Sequence, residues 1–140
     1  MRTFIFILAL GFLLNSCSKQ KRNKQAFYGV WVETTLRLDT LDFEFGNRVD
    51  WSGDYSALQF STNTYTDTVL NPYYPVNHSD TYEYFFNNTM SQINMRGSVS
   101  SSTNFGVLSF ALSGNKQRFS ISKFYFRRSL PAVIEFVRIR

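Results

Sequence analysis

Two hydrophobic patterns divide the chain. From Phe4 to Leu14 eleven residues run together without a polar interruption, whereas from Phe27 onward apolar and polar residues alternate in short stretches broken by Gly, Asn, Asp and Ser. Alternation with period two places every second side chain on one face, which suits a half-buried strand, and no long window repeats apolar residues at helical spacing. Residues 27–140 are therefore predicted to form one all-β domain. Its 114 residues are enough to bury roughly two thirds of the unfolded surface in a single core.

The alternation predicts strands at Val30 to Leu38, Ala57 to Ser61, Thr81 to Asn87, Gln92 to Arg96, Phe105 to Leu112, Lys116 to Ser122, Phe124 to Arg127 and Val133 to Ile139. Leu41-Asp42-Phe43-Glu44-Phe45 predicts a hairpin arm in which a three-residue loop, Gly46 to Arg48, sets Phe45 opposite Val49 and Phe43 opposite Trp51. A turn at Gly114-Asn115 predicts a second hairpin with Phe110 opposite Phe119 and Leu108 opposite Ile121. Asn63 to Asp80, with Pro72, Pro75 and many Asn, Asp and Thr, is predicted to be a loop. About eight strands in succession suggest an antiparallel meander that closes into a small barrel or folds as a two-sheet sandwich.

The apolar run at the start is too short for a membrane span, which needs about 18 to 20 residues to cross ~30 Å of hydrocarbon. Behind the basic start Met1-Arg2-Thr3 it reads as the core of a secretory signal. The residues that follow, Leu14-Asn15-Ser16-Cys17, resemble the bacterial lipobox, with an aliphatic residue three positions before a cysteine and a small one directly before it. That resemblance implies a signal peptide of residues 1–16, removed on export, and a lipid-bearing Cys17 at the head of a tether, residues 17–26. Cys17 is the only cysteine in the chain, so no internal disulfide supports the fold. Lipoproteins of this kind carry two or three acyl chains, and two or more anchor stably. The implied address is the bacterial cell envelope, with a membrane as partner through the N-terminal lipid.

Charge changes the picture once it is divided by segment. The formal charge of +5 invites a nucleic-acid partner. Arg2, however, belongs to the signal, and Lys19, Lys21, Arg22 and Lys24 to the tether. Residues 27–140 hold ten acidic and ten basic residues, so the domain is neutral and nucleic-acid binding is excluded. The tether lysines and arginines stand close to the acyl chains, where each could gain roughly 1 kcal/mol from anionic headgroups, or form only a solvated spacer. Some bacteria mark surface-exposed lipoproteins with acidic residues after the cysteine. The basic Ser18 to Arg22 stretch has the opposite sign, which implies a domain facing the periplasm. Within the domain, Phe27 to Glu83 has nine acids and two bases, and Arg96 to Arg140 eight bases and one acid. The two halves are predicted to attract through cross-strand pairs, or to present a polarised surface to a partner.

The opening Phe27-Tyr28-Gly29-Val30-Trp31 contains a Gly-x-Trp and resembles the start of lipocalin-like domains. In that family the tryptophan plugs the closed end of the barrel and an arginine near the last strand stacks on it. The resemblance implies structural roles for Gly29, Trp31 and Arg138, and other small β folds in which Trp31 is an ordinary core aromatic stay open beside it.

Candidate chemistry is sparse. Triads, zinc sites and histidine acid-base catalysis need histidine or cysteine in company, and the mature chain has only His78, predicted to be solvated in a polar loop. Asp39, Asp42 and Glu44 could offer paired carboxylates, but alternation turns Asp42 and Glu44 to solvent. No phosphate loop, metal motif or nucleophile elbow is present. No catalytic residue, metal or cofactor is assigned, and the chain is read as a non-enzyme. What stands out is 22 Phe, Tyr and Trp in the 124 residues from Cys17 onward. Aromatics fill cores efficiently. In a barrel left incompletely filled, Tyr82, Tyr84, Phe86, Phe110 and Phe119 would line an apolar pocket. The sequence thus leads to a non-catalytic binder of a small apolar or amphipathic ligand. Its alternative is an envelope protein with a filled core that docks a protein partner.

Overall fold

A computed structural model describes residues 25–62, 78–98, 103–125 and 130–140. The apolar run, the lipobox with Cys17, and the basic residues up to Lys24 lie outside the described residues. So do 63–77, which take up most of the expected loop, and 99–102 and 126–129.

Among the described residues eight strands form in chain order: β1 Val30–Glu33, β2 Asp39–Asp42, β3 Ser56–Thr62, β4 His78–Phe86, β5 Gln92–Gly97, β6 Gly106–Leu112, β7 Arg118–Ser122 and β8 Val133–Arg138. Each pairs antiparallel with the next and β8 returns to β1, so the meander is a closed barrel rather than a sandwich. Closure leaves none of these eight strands with an edge open to pair with another chain. The acidic and basic halves meet at two seams, β4 with β5 and β8 with β1. At the first, Glu83 lies directly opposite Arg96 and accepts from its guanidinium at 2.6 Å.

Alternation sorts the side chains as the sequence predicts. Trp31 lies opposite Leu41, and Leu41 opposite Phe60, so three fully buried residues follow one another around the wall. Phe119 stacks on Phe136 across β7 and β8 with centroids 5.2 Å apart and planes 9° apart. Each such side chain stabilises the fold by ~1.5 to 3 kcal/mol through lost apolar surface alone.

Several elements differ from the sequence pattern, each for a local reason. The first strand stops at Glu33 instead of Leu38 because the buried Glu33 carboxylate accepts the backbone N–H groups of Thr35, Leu36 and Arg37. That turns the chain, with Arg37 at φ 59°. The hairpin predicted from Leu41 to Trp51 does not form: β2 ends at Asp42, and Phe45–Arg48 is one helical turn. Asp42 Oδ1 accepts the backbone N–H of Glu44 at 2.9 Å, the local hydrogen bond by which aspartate initiates turns. Val49 is consequently 49% exposed, not paired with Phe45.

The second hairpin forms with a longer loop. Ser113 Oγ and Asn115 Oδ1 bond to each other and to the backbone of Arg118 and Gln117, and Lys116 adopts φ 57°. Phe110 therefore faces Ile121, and Leu112 faces Phe119. The register is shifted by two residues, which keeps every side chain on its predicted face. The strand expected at Phe124 to Arg127 is absent over Phe124 and Tyr125, which leave the ladder and turn inward onto Phe60 at 5.7 and 4.5 Å. His78 is not in a loop. It opens β4 opposite Thr62, with Nε2 2.8 Å from Asp80 Oδ1.

Candidate functional site

One end of the barrel interior is built around Phe27, which is 1% exposed. Gln25 to Phe27 make a helical turn, so the folded body begins slightly before Phe27, and the Phe27 ring enters the barrel. Its centroid lies 4.8 Å from Phe86, 5.1 Å from Phe110 and 5.5 Å from Phe119. The Gly-x-Trp residues hold that turn in place. Trp31 Nε1 donates to the Phe27 carbonyl at 2.9 Å. The Arg138 guanidinium lies over the Trp31 ring, 4.6 Å from its centroid, and donates to the Ala26 carbonyl. Gly29 has φ 132°, and a Cβ there would come 2.1 Å from the Arg140 carbonyl oxygen. Only glycine fits where the segment entering β1 passes this close to the Arg140 backbone.

Four of the five predicted pocket residues are therefore gathered here: Phe86, Phe110 and Phe119 pack on Phe27, and Tyr84 packs on Phe43 at 5.3 Å. Tyr82 lies toward the opposite end, 5.7 Å from Phe124. Among the first three, the space that a ligand would need is occupied by Phe27.

Open space lies beside them instead. A half-open cleft of about 260 Å³ runs between the β2–β3 connection, the start of β3 and the end of β4, and Tyr84 is the one predicted pocket residue that lines it. Its aromatic walls are Tyr28, Phe43, Trp51, Tyr55 and Tyr84. Asn47 and Ser56 add polar groups, and Asp54 contributes the sole charged side chain of the lining among the described residues. Asn47 Nδ2 donates to the Tyr28 hydroxyl, tying the helical turn to the N-terminal segment. Burial, with a smaller contribution from the neighbouring Tyr28, pushes the Tyr84 phenol far above its ordinary value against the opposing hydrogen bond of Ser56. Tyr84 stays a neutral hydroxyl.

Trp51 stands in the connection, not on a strand opposite Phe43. Its Nε1 is buried with no hydrogen-bond partner among the described residues. Gly53 makes room for it, because a Cβ on Gly53 would meet Trp51 Nε1 at 2.3 Å and Glu83 Oε1 at 2.8 Å. The sequence signal for this wall was Trp51-Ser-Gly-Asp-Tyr55, two aromatics bracketing small and polar residues. Reading Trp51 as a strand residue concealed it.

Two carboxylates are buried inside the barrel, which alternation had not separated from surface charges. Asp39 is 0% exposed, accepting from Thr62 Oγ1 at 2.6 Å and from Tyr125 Oη at 2.8 Å. Glu33 holds the β1–β2 turn, as described above. Asp42 is also buried and pairs with Arg48, while Glu44, at the surface, lies 3.4 Å from Arg140. These groups are engaged by hydroxyls, backbone N–H groups and guanidinium groups. Among the described residues no three of His, Cys, Asp and Glu converge as metal ligands.

Outside the barrel, Tyr55 stacks on Phe85 at 5.5 Å, and Phe105 packs edge-on against both. Arg96 lies over the Phe105 ring at 4.6 Å and the Tyr55 ring at 5.5 Å. Phe85 is 40% exposed, and Val107, on the other side of Asn94 in the sheet, 58%. Among the described residues no helix is long and apolar enough to cross a membrane. No family model, curated protein or solved structure matches the chain.

Proposed function

We propose that the chain is a lipid-anchored lipoprotein of the bacterial cell envelope, facing the periplasm, whose lipocalin-like barrel is a non-catalytic binding module for a small amphipathic ligand. The observation that carries the binding reading is the half-open aromatic cleft of about 260 Å³ under the β2–β3 connection. Rigid rings with a few hydroxyl, amide and carboxylate groups among them are the composition that holds a small ligand in a fixed orientation. The non-catalytic reading draws support from the buried carboxylates, which are spent on holding backbone and hydroxyl groups.

The test is native mass spectrometry of the protein purified from its source bacterium, released from the lipid by cleavage within the tether and kept free of detergent. The expected result is a defined extra mass that disappears on organic extraction. A bare, well-folded protein would instead favour an envelope interaction protein. The observation behind that second reading is the outer patch of Tyr55, Phe85 and Phe105. It would show itself as one partner crosslinked to this face, and a Phe85→Ser variant would lose that crosslink.

A further inference from the structure

Resting on the reading of the cleft as a ligand site, we infer that its ligand is a small organic cation, an ammonium group carrying apolar substituents. Five aromatic side chains line the cleft, and the faces of such rings are the negative pole of their quadrupole. A cation held within about 6 Å of a ring centroid is attracted to it, most strongly to tryptophan. Asp54 supplies the complementary full charge, and among the described residues no Lys, Arg or His lines the cleft.

The surrounding connection reinforces this sign. Residues 43–55 carry Glu44, Asp50 and Asp54 against Arg48 alone; with Arg48 paired to Asp42 and Glu44 facing Arg140, Asp50 and Asp54 set the local sign. An anion entering here would meet a carboxylate and no compensating base. An apolar neutral molecule would leave Asp54 without use. Tyr55 already carries Arg96 at 5.5 Å from its centroid, and Phe43 and Tyr84, at 3% and 2% exposed, offer almost no surface, so Tyr28 and Trp51 are the rings left to receive the ligand. Apolar substituents on the nitrogen weaken its hydration and allow the rings to enclose it, which a bare ammonium ion resists.

The experiment is isothermal titration of the full-length lipoprotein in non-ionic maltoside micelles with choline, with tetramethylammonium, and with 3,3-dimethylbutan-1-ol, the uncharged isostere of choline. Sodium chloride at equal ionic strength is the blank. Both cations are expected to bind, and the isostere at least ~10-fold more weakly. Asp54→Asn, at an exposed position that needs no refolding of the core, is expected to weaken the cations several-fold and leave the isostere unchanged. Trp51→Leu should weaken the cations as well, with the circular dichroism of both variants unaltered. Equal affinity for isostere and choline overturns the cation inference while the binding reading stands. The cation inference also falls, and the binding reading again stands, if neither cation binds but another small molecule is extracted from the native protein. If no probe binds and nothing is extracted, the cation inference and the binding reading fall together.

Discussion

Trp31 donates its indole N–H to the carbonyl of Phe27 at 2.9 Å, so the residue that closes the barrel wall also fixes the residue that fills it. The same ring carries the Arg138 guanidinium, which binds Ala26 one residue away. The N-terminal turn is thereby fastened from β1 and β8 together, and its one large side chain becomes the centre of the aromatic core. Phe27→Ala should cost about 3 to 5 kcal/mol, the usual range for a buried phenylalanine whose space cannot collapse. Urea unfolding followed by tryptophan fluorescence measures this. A loss under about 1 kcal/mol, far below that range, would mean that the turn is not seated in the barrel.

Gly29→Ala tests the same end through the backbone. A φ of 132° is one that L side chains rarely adopt, and the new methyl would overlap the Arg140 carbonyl. A loss of at least roughly 1 to 3 kcal/mol is expected from the strained conformation alone, seen as a lower thermal midpoint. Because Val30 N–H donates to Arg140 O at 3.0 Å, protection of that amide from hydrogen exchange should fall first.

Burial raises the Tyr84 phenol above its ordinary value of 10.0, which fixes the sign of a pH effect. Below about pH 10 both folded and unfolded chains keep the proton, and the stabilisation is fully present. Above it the unfolded chain releases the proton and the folded chain does not, so stability falls as pH rises. Tyr84→Phe should lose about 1 kcal/mol at neutral pH with the Ser56 hydrogen bond, and should lose less than the parent between about pH 8 and about pH 11. Urea midpoints of the two proteins across that range check it. Parallel curves would refute a buried, neutral Tyr84.

The fold was legible wherever side-chain alternation alone sets the structure. Tyr82, Tyr84 and Phe86 share the inner face as their spacing predicts, and the two-residue slip at Phe110 and Phe119 changed partners without changing faces. It was illegible where a polar side chain competes for the backbone. Glu33, Asp42, Ser113 and Asn115 each redirect the chain through hydrogen bonds that periodicity does not register. The cleft was missed for that reason: Asp42 ends β2 early, and the connection that follows carries Trp51 and Tyr55 off the predicted strand. Phe27 was equally hidden, since the boundary drawn there made it the first residue of a strand region and not the plug of the core.

Inside the barrel, Asp39 accepts hydrogen bonds from Thr62 and Tyr125, 23 and 86 residues away in sequence. Tyr125→Phe removes one donor from a buried carboxylate and should cost about 1 to 3 kcal/mol. Asp39→Asn, which keeps the shape and removes the charge, should make the second change Tyr125→Phe less costly than it is in the parent, because the remaining group needs less hydration. A double-mutant cycle from urea unfolding gives the coupling directly. Additive losses would mean that the Tyr125 hydroxyl acts independently of Asp39.

The anchoring proposal has its own test, independent of the barrel. If the Leu14-Asn15-Ser16-Cys17 stretch directs acylation, the parent protein should incorporate labelled palmitate and remain with membranes through carbonate washing. Cys17→Ser should abolish the label, because no other cysteine is present to accept it. One apolar segment of eleven residues is too short to span the hydrocarbon, so an unprocessed Cys17→Ser chain has only marginal hold on the bilayer. It should move partly or wholly to the soluble fraction with its barrel intact by circular dichroism. Undiminished palmitate incorporation in the variant would show that the lipid is carried elsewhere. A parent protein that takes no label would remove the lipoprotein reading and leave the ligand cleft to be judged alone.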